Sequence, residues 1–438
     1  METYFLKMPE QVRHLRNSFE TASFYFTTMS QDVAHLVDHY FREEYGKGVS
    51  YLTAKFGARY IELAEDAVQE ALLKAMQTWP FSKVPDNPSG WIIKVAGNKM
   101  IDSIRKNSRI DHTESLPEQI SFSTEFTLDT IKDDLVKMMF ACCHASLSAE
   151  YQIILTLKIL GGLSIKEISR ALLKNEEAIA KSYTRAKKKF QEEKIQLDLP
   201  GSHEIKNRLK TVLQVIYLLF NEGYKTTQGD ELVKKELCQE AIRLNGILLD
   251  NDLCNGSLAN GLMALMHFHS ARFDARVDEK GYLVTLEYQD RKKWNQQHID
   301  AGIRYLQQAT QGAFLNEYYL QAVISGIHCQ TEKYSETNWS EILELYNMIY
   351  SINPSPMVRL NRVVALSKSG DFDKAFSELA VLENHKQIKG HYLFYAVKGD
   401  ILIDKGDINE GKNALKHAIY LAKNGKEKDY LNRKIKRL

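Results

Sequence analysis

At 438 residues the chain is longer than one hydrophobic core accommodates, so several domains are expected. A formal charge of +2 excludes a strongly basic field over the whole surface, so any nucleic-acid contact must come from local patches. No apolar run is long enough to cross a membrane, and the N-terminal stretch METYFLKMPEQVRHLRNSFE is broken by charge where a signal peptide is apolar. The five cysteines (Cys142, Cys143, Cys238, Cys254 and Cys329) form no disulfide framework, so the expected setting is the reducing cytoplasm. Prolines number only 8 and period-2 alternation is nearly absent, which predicts an all-α protein.

Residues 1–30 have weak periodicity and contain a late methionine, Met29; they read as an N-terminal arm. From Asp32 a helical stripe begins with Val33, Leu36, Val37 and Tyr40. A second helix, Tyr60–Trp79, turns Leu63, Val68, Ala71, Leu72 and Ala75 toward a core and Asp66, Gln69, Glu70 and Lys74 outward. A turn-rich loop, Pro80–Gly90, precedes a helix opened by Trp91. There Ile92, Val95, Ala96, Met100, Ile101 and Ile104 face inward, and Lys94, Asn98, Lys99, Asp102, Arg105 and Lys106 face out. Cations in such a row supply affinity through phosphates. Trp91 is placed either to stack on an unstacked base or to fill the core. Residues 107–130 are polar without a stripe and read as a flexible linker, followed by a helix over Asp133–Ala145. Cys142-Cys143-His144 lacks a second ligand pair at metal-binding spacing, so a structural role is expected and no metal.

The stretch Ser148–Gln191 reads as three helices joined by tight turns. Tyr151, Ile154, Leu155 and Ile159 make the first, which stops at Gly161-Gly162. Ser164 and Glu167 form a capping box for the second, and Asn175 caps the third, with Glu176 and Glu177 at its positive end. In the third helix Ile179, Tyr183, Ala186 and Phe190 recur at inward spacing, while Lys181, Thr184, Arg185 and Lys188 lie on the other face. A short capped helix, a turn and a basic second helix is the helix-turn-helix arrangement, whose second helix enters the major groove.

The order EDAVQEALLKAMQTW, NPSGWIIKVAGNKMIDSIRK, polar linker, then Ser148–Gln191 resembles the sigma-70 family of RNA polymerase sigma factors, in its extracytoplasmic-function (ECF) group. The resemblance implies two small helical domains: region 2 over residues 31–106 and the region 4 helix-turn-helix over residues 131–195. It also implies core RNA polymerase and promoter DNA as partners. Asp66, Gln69 and Glu70 are then the face that docks on the polymerase. Trp91, Lys94, Asn98, Lys99 and Arg105 belong to minus-ten recognition and melting, with the Pro80–Gly90 loop capturing a flipped base. Lys181, Thr184, Arg185 and Lys188 read the minus-thirty-five element. Gly97, where the family often has Arg, and Tyr183, where it often has another Arg, depart from the pattern.

Beyond Leu197-Asp-Leu-Pro-Gly201 the chain continues as a helical extension over residues 201–335, with helices near 231–249, 257–273 and 294–311. RLKTVLQVIYLLFNEGY resembles a sigma subgroup with a long helical C-terminal extension; Gly223 reads as a helix C-cap there. His267 and His269 occupy alternate positions of an apolar helix and read as structural. Residues 336–438 carry a repeat, Ser369–Ala375 aligning with Lys405–Gly411 at an offset close to the tetratricopeptide length. Such helical pairs stack into a surface for a protein or peptide partner, and Arg359, Arg362 and Tyr395 are expected at solvated positions on it. No phosphate loop, nucleophile elbow or carboxylate pair is visible, so neither enzymatic activity nor a cofactor is expected. The rival reading is a stand-alone helix-turn-helix regulator with a tetratricopeptide sensor.

Overall fold

The computed structural model describes residues 31–79, 85–111, 128–172, 174–224, 235–279, 281–310, 315–385, 388, 390–422 and 425–438. Within them lie eighteen α-helices, and β-structure is limited to one isolated antiparallel bridge, Val277–Leu283. The expected N-terminal arm and most of the expected linker lie outside the described residues. The chain divides into two compact units, Met1–Val215 and Ile216–Leu438.

The first unit contains α1 (Gln31–Phe56), α2 (Ile61–Thr78), α3 (Pro88–Asp111), α4 (Leu128–Cys142), α5 (Ala149–Leu155), α6 (Ile165–Leu172) and α7 (Glu176–Glu192), and the unit division falls within α8 (Ser202–Tyr224). Ile61, Ala64, Val68, Leu72 and Ala75 form the buried stripe of α2. Its alanines leave room for α3 to approach, and α3 fills the gap with Ile92, Ile93, Ala96, Met100 and Ile104. Helix α3 starts three residues earlier than Trp91. Pro88 suits a first helical position because its missing N–H has no partner there, and the Asn87 side chain accepts from Gly90 N at 2.9 Å.

Helix α4 buries Leu135, Met138, Met139 and Phe140, and Cys142 and Cys143 complete the same core. Helix α5 runs into a π-helical turn, Thr156–Leu160, ending at Gly161. The capping box is present: Ser164 N donates to Glu167 at 2.7 Å, and Glu167 N donates to Ser164 Oγ at 3.2 Å. Asn175 caps α7 by accepting from Glu177 N at 2.8 Å.

The second unit continues through α9 (Lys235–Leu249), α10 (Ser257–Ser270), α11 (Gln296–Ala309), α12 (Glu317–Gln330), α13 (Trp339–Ile352), α14 (Pro356–Lys368), α15 (Phe372–Glu383), α16 (Tyr392–Lys405), α17 (Ile408–Leu421) and α18 (Gly425–Arg437). Helix α10 is buried nearly all round, between α11 and α12. Its Phe268 ring rests against Gly302 and Gly326, where a methyl group would come within 2.6 Å and 3.3 Å of it. Gly223 is not a C-cap: α8 continues through Tyr224, whose ring stacks on Phe220 inside the core. Gly223 is buried, so packing of this stretch of α8 outweighs its weak helix propensity.

The two copies of the motif share local features. Gly370 (φ 92°) and Gly406 (φ 102°) end α14 and α16 in the left-handed region that favours glycine, and Asp371 and Asp407 open the next helices. Leu379 and Leu415 are buried at matching places. Arg359 and Arg362, expected to be solvated, instead grip Glu378 of α15 at 2.5 Å and 2.6 Å. Both guanidiniums are about one-fifth exposed, so this pair ties α14 to α15. Tyr395 is half-buried, its ring 4.1 Å from His417.

Candidate nucleic-acid interface

Lys181, Thr184, Arg185 and Lys188 are all exposed on α7, opposite the buried row Ile179, Tyr183, Ala186 and Phe190. The lysines are held by acids on their own helix, Lys181 to Glu177 at 2.6 Å and Lys188 to Glu192 at 3.6 Å. Exposed pairs one helical turn apart are weak, so each lysine can exchange its partner for a phosphate. Thr184 Oγ1 donates to Ala180 O at 3.0 Å.

On α3, Lys94, Asn98, Lys99 and Arg105 are exposed along one side. Trp91 is half-buried, edge-on to Trp79 with ring centres 5.5 Å apart. It therefore packs against the end of α2 while keeping one side available. The loop expected to take a flipped base lies in part, at 80–84, outside the described residues.

Asp66, Gln69 and Glu70 are exposed on α2. Lys99 crosses to Glu70 at 2.9 Å, joining the two candidate faces through an ion pair whose members are 48% and 60% exposed. That exposure makes the bond easy to trade for a partner.

The residue that sequence reasoning missed is Glu65. It is 5% exposed and lies on the apolar stripe of α2, four residues after Ile61 and three before Val68. Tyr45 of α1 donates its hydroxyl to Glu65 Oε1 at 2.6 Å, and Tyr183 of α7 donates to the same oxygen at 2.5 Å. Lys187 Nζ donates to Oε2 at 3.0 Å and reaches Glu62 at 3.3 Å. Burial and then the Glu65 charge raise the pKa of both tyrosines, so the hydroxyls stay protonated donors. Burial opposes the Lys187 ammonium, but Glu65 and Glu62 outweigh it and raise its pKa. A periodicity check for charge on an apolar stripe would have flagged Glu65. Its partners, 118 residues and more away in α7, had no local signal.

Elsewhere, His267 and His298 meet through their Nδ1 atoms at 2.8 Å, with His267 stacked on Tyr305. Among the described residues no three His, Cys, Asp or Glu side chains are placed to hold a metal ion. No described helix is long and apolar enough to cross a membrane.

Residues 41–110 match Sigma-70 region 2 and residues 137–190 match Sigma-70, region 4. Residues 208–310 match a family of unknown function, DUF6596. An uncharacterised protein of Rhizobium meliloti (strain 1021) is 34% identical over 389 residues, covering 87% of this chain and 91% of that protein. Family members built on these two regions are non-catalytic factors of transcription initiation. With both regions in order on an all-helical frame, and a helical extension behind them, the chain belongs to the sigma-70 family as an ECF-type sigma factor with a role in promoter recognition.

Proposed function

We propose that the chain binds core RNA polymerase through Asp66, Gln69 and Glu70 of α2. On this reading α3 engages the minus-ten element with Trp91, Lys94, Asn98, Lys99 and Arg105, and α7 reads the minus-thirty-five element with Lys181, Thr184, Arg185 and Lys188. The observation that carries it is the sorting of charge: acids and an amide line the exposed side of α2, and cations line the exposed sides of α3 and α7. Cations suit phosphates, and a negative face on a neighbouring helix suits a protein partner. Domains over residues 31–106 and 131–195 would then act as separate promoter-binding modules.

The extension over residues 201–335 and the tetratricopeptide-like helices over residues 336–438 would serve as a regulatory or partner-binding module. Stacked helical pairs supporting this reading bury Leu379 and Leu415 and leave Met348, Ile352, Val381 and Tyr420 exposed. Promoter-specific transcription with purified core polymerase tests the whole reading. Specific initiation should require the chain and should be lost with D66A/Q69A. Initiation without the chain, or an unaffected double variant, overturns it.

A further inference from the structure

Between α10 and α11 the chain forms a strap, residues 276–294, whose described residues hold two short 3-10 turns and no α-helix. Its base is fixed. Arg272 Nε donates to Gln289 Oε1 at 3.2 Å, and the Arg291 guanidinium donates to the carbonyls of His328 and Thr331 at the end of α12. Its tip is a tight turn: Val284 N donates to Arg276 O, Asp278 N donates to Tyr282 O, and Gly281 takes φ 75°. The turn sets Asp278 and Tyr282 side by side, with Tyr282 N donating to Asp278 Oδ1 at 2.8 Å.

That tip rests on the repeats. Arg433 of α18 lies over the Tyr282 ring at 3.9 Å and reaches Asp278 at 3.7 Å. A row of ion pairs crosses the same three helices, α14, α16 and α18: Lys368 to Asp404 at 2.9 Å, and Asp400 to Lys434 at 2.7 Å. Lys368 and Asp404 are 36 residues apart, at equivalent positions of the two copies of the motif, so the row follows one face of successive repeats. Glu287 of the strap acts on this row. Burial opposes the Lys368 and Lys434 ammoniums, but Asp404 and Asp400 respectively, with Glu287 adding to both, raise their pKa.

The strap is an imperfect occupant of that face. A guanidinium binds a carboxylate best through two parallel N–H donors, and at 3.7 Å Asp278 is beyond hydrogen-bonding range of Arg433. Nε and Nη2 of Arg433 are buried with no acceptor among the described residues. Buried donors left unmet favour any occupant that brings an acceptor to them. The turn that fixes Asp278 prevents the strap from doing so.

We propose that the face formed by α14, α16 and α18 is a docking surface for an extended, acidic and aromatic segment of a partner protein, and that the strap occupies it as a built-in competitor. The strap itself displays the chemistry: a carboxylate toward Arg433, an aromatic ring under its guanidinium, and a further acid toward Lys368 and Lys434. An incoming segment gains by meeting the two unmet donors, and its apparent affinity is lowered by the fraction of chains whose strap is down. The proposal rests on reading residues 336–438 as the partner-binding module of a sigma factor.

The probe is a fluorescein-labelled peptide of residues 276–290, RVDEKGYLVTLEYQD, titrated with the full chain. D278N/Y282S loosens the strap tip and should bind the peptide at least about tenfold tighter than the unaltered chain does. That binding should weaken as salt is raised. Adding R433Q to the double variant should cancel the gain, again by at least about tenfold. If D278N/Y282S loses its helical signal, D278N alone is read in the same way, since it keeps the acceptor for Tyr282 N; a rise of at least about threefold is then expected.

Equal affinity of the loosened and unaltered chains, an affinity that R433Q leaves unchanged, or no binding to any chain overturns the proposal. Binding as stated by a chain that initiates at no promoter leaves the docking face standing and removes the sigma-factor reading. Promoter-specific initiation without those binding changes removes the docking face alone.

Discussion

Glu167 serves two partners at once: one carboxylate oxygen closes the capping box with Ser164, and the other takes the Arg42 guanidinium at 2.6 Å. The start of the helix-turn-helix is thereby tied to α1. E167Q keeps an oxygen for Ser164 N and should cost under about 1 kcal/mol, since the lost ion pair is partly solvated. E167A also removes the cap and should cost about 1–2 kcal/mol. Urea denaturation of the two variants checks the difference; equal losses would mean the cap contributes nothing.

Gly399 of α16 and Gly411 of α17 let those helices meet backbone to backbone. A methyl group on Gly399 would lie 3.0 Å from the Gly411 carbonyl oxygen, and one on Gly411 2.6 Å from the Ile403 side chain. G399A should therefore destabilise the second unit by about 1–3 kcal/mol, despite alanine's better helix propensity. A raised melting temperature would show that the pair can move apart without penalty.

Arg185 is exposed on α7 and Lys188 pairs with Glu192 at 3.6 Å. R185A should weaken use of the minus-thirty-five element about 10- to 100-fold at fixed salt, as expected for losing one base contact. K188A should weaken binding to all duplexes alike and lower the salt slope by about one ion. Footprinting and salt titration separate the two roles, and swapped outcomes would exchange their assignments.

His328 and His267 are both pushed down to about 4, first by burial. Arg272 and Arg291 face His328 and add to the shift, as do His298 and Arg304 for His267. A folded-state value below the unfolded one of about 6.5 means that the stabilisation is complete above pH 6.5 and is lost as pH falls toward 4. Each group contributes at most roughly 3 kcal/mol to that loss. H328Q should flatten the fall in melting temperature between pH 6.5 and 4.5. A slope identical to that of the unaltered chain would place the titration elsewhere.

The helices and their caps were readable because their signals are local. Ser164, Glu167 and Asn175 declare helix starts within three residues, and the row Ile179, Tyr183, Ala186, Phe190 declares the buried side of α7. Pro88 and Gly223 misled in opposite directions, since proline opens a helix at its first position and glycine stays helical when its neighbours are well packed. Arg359 and Arg362 looked like surface because their partner, Glu378, lies on the next helix. The Glu65 cluster was hidden for the same reason on a larger scale. A burial pattern names Tyr183 as core, but only the folded chain brings a carboxylate to its hydroxyl.

Direct titration of core RNA polymerase with the labelled full chain tests the central claim most simply. Saturable binding is expected, weakened at least about tenfold by D66A/Q69A, while the double variant stays folded, since both side chains are exposed and the loss inside is one hydrogen bond from Gln69 to Tyr45. Saturable binding of equal strength by both chains, or no binding by either, would contradict it.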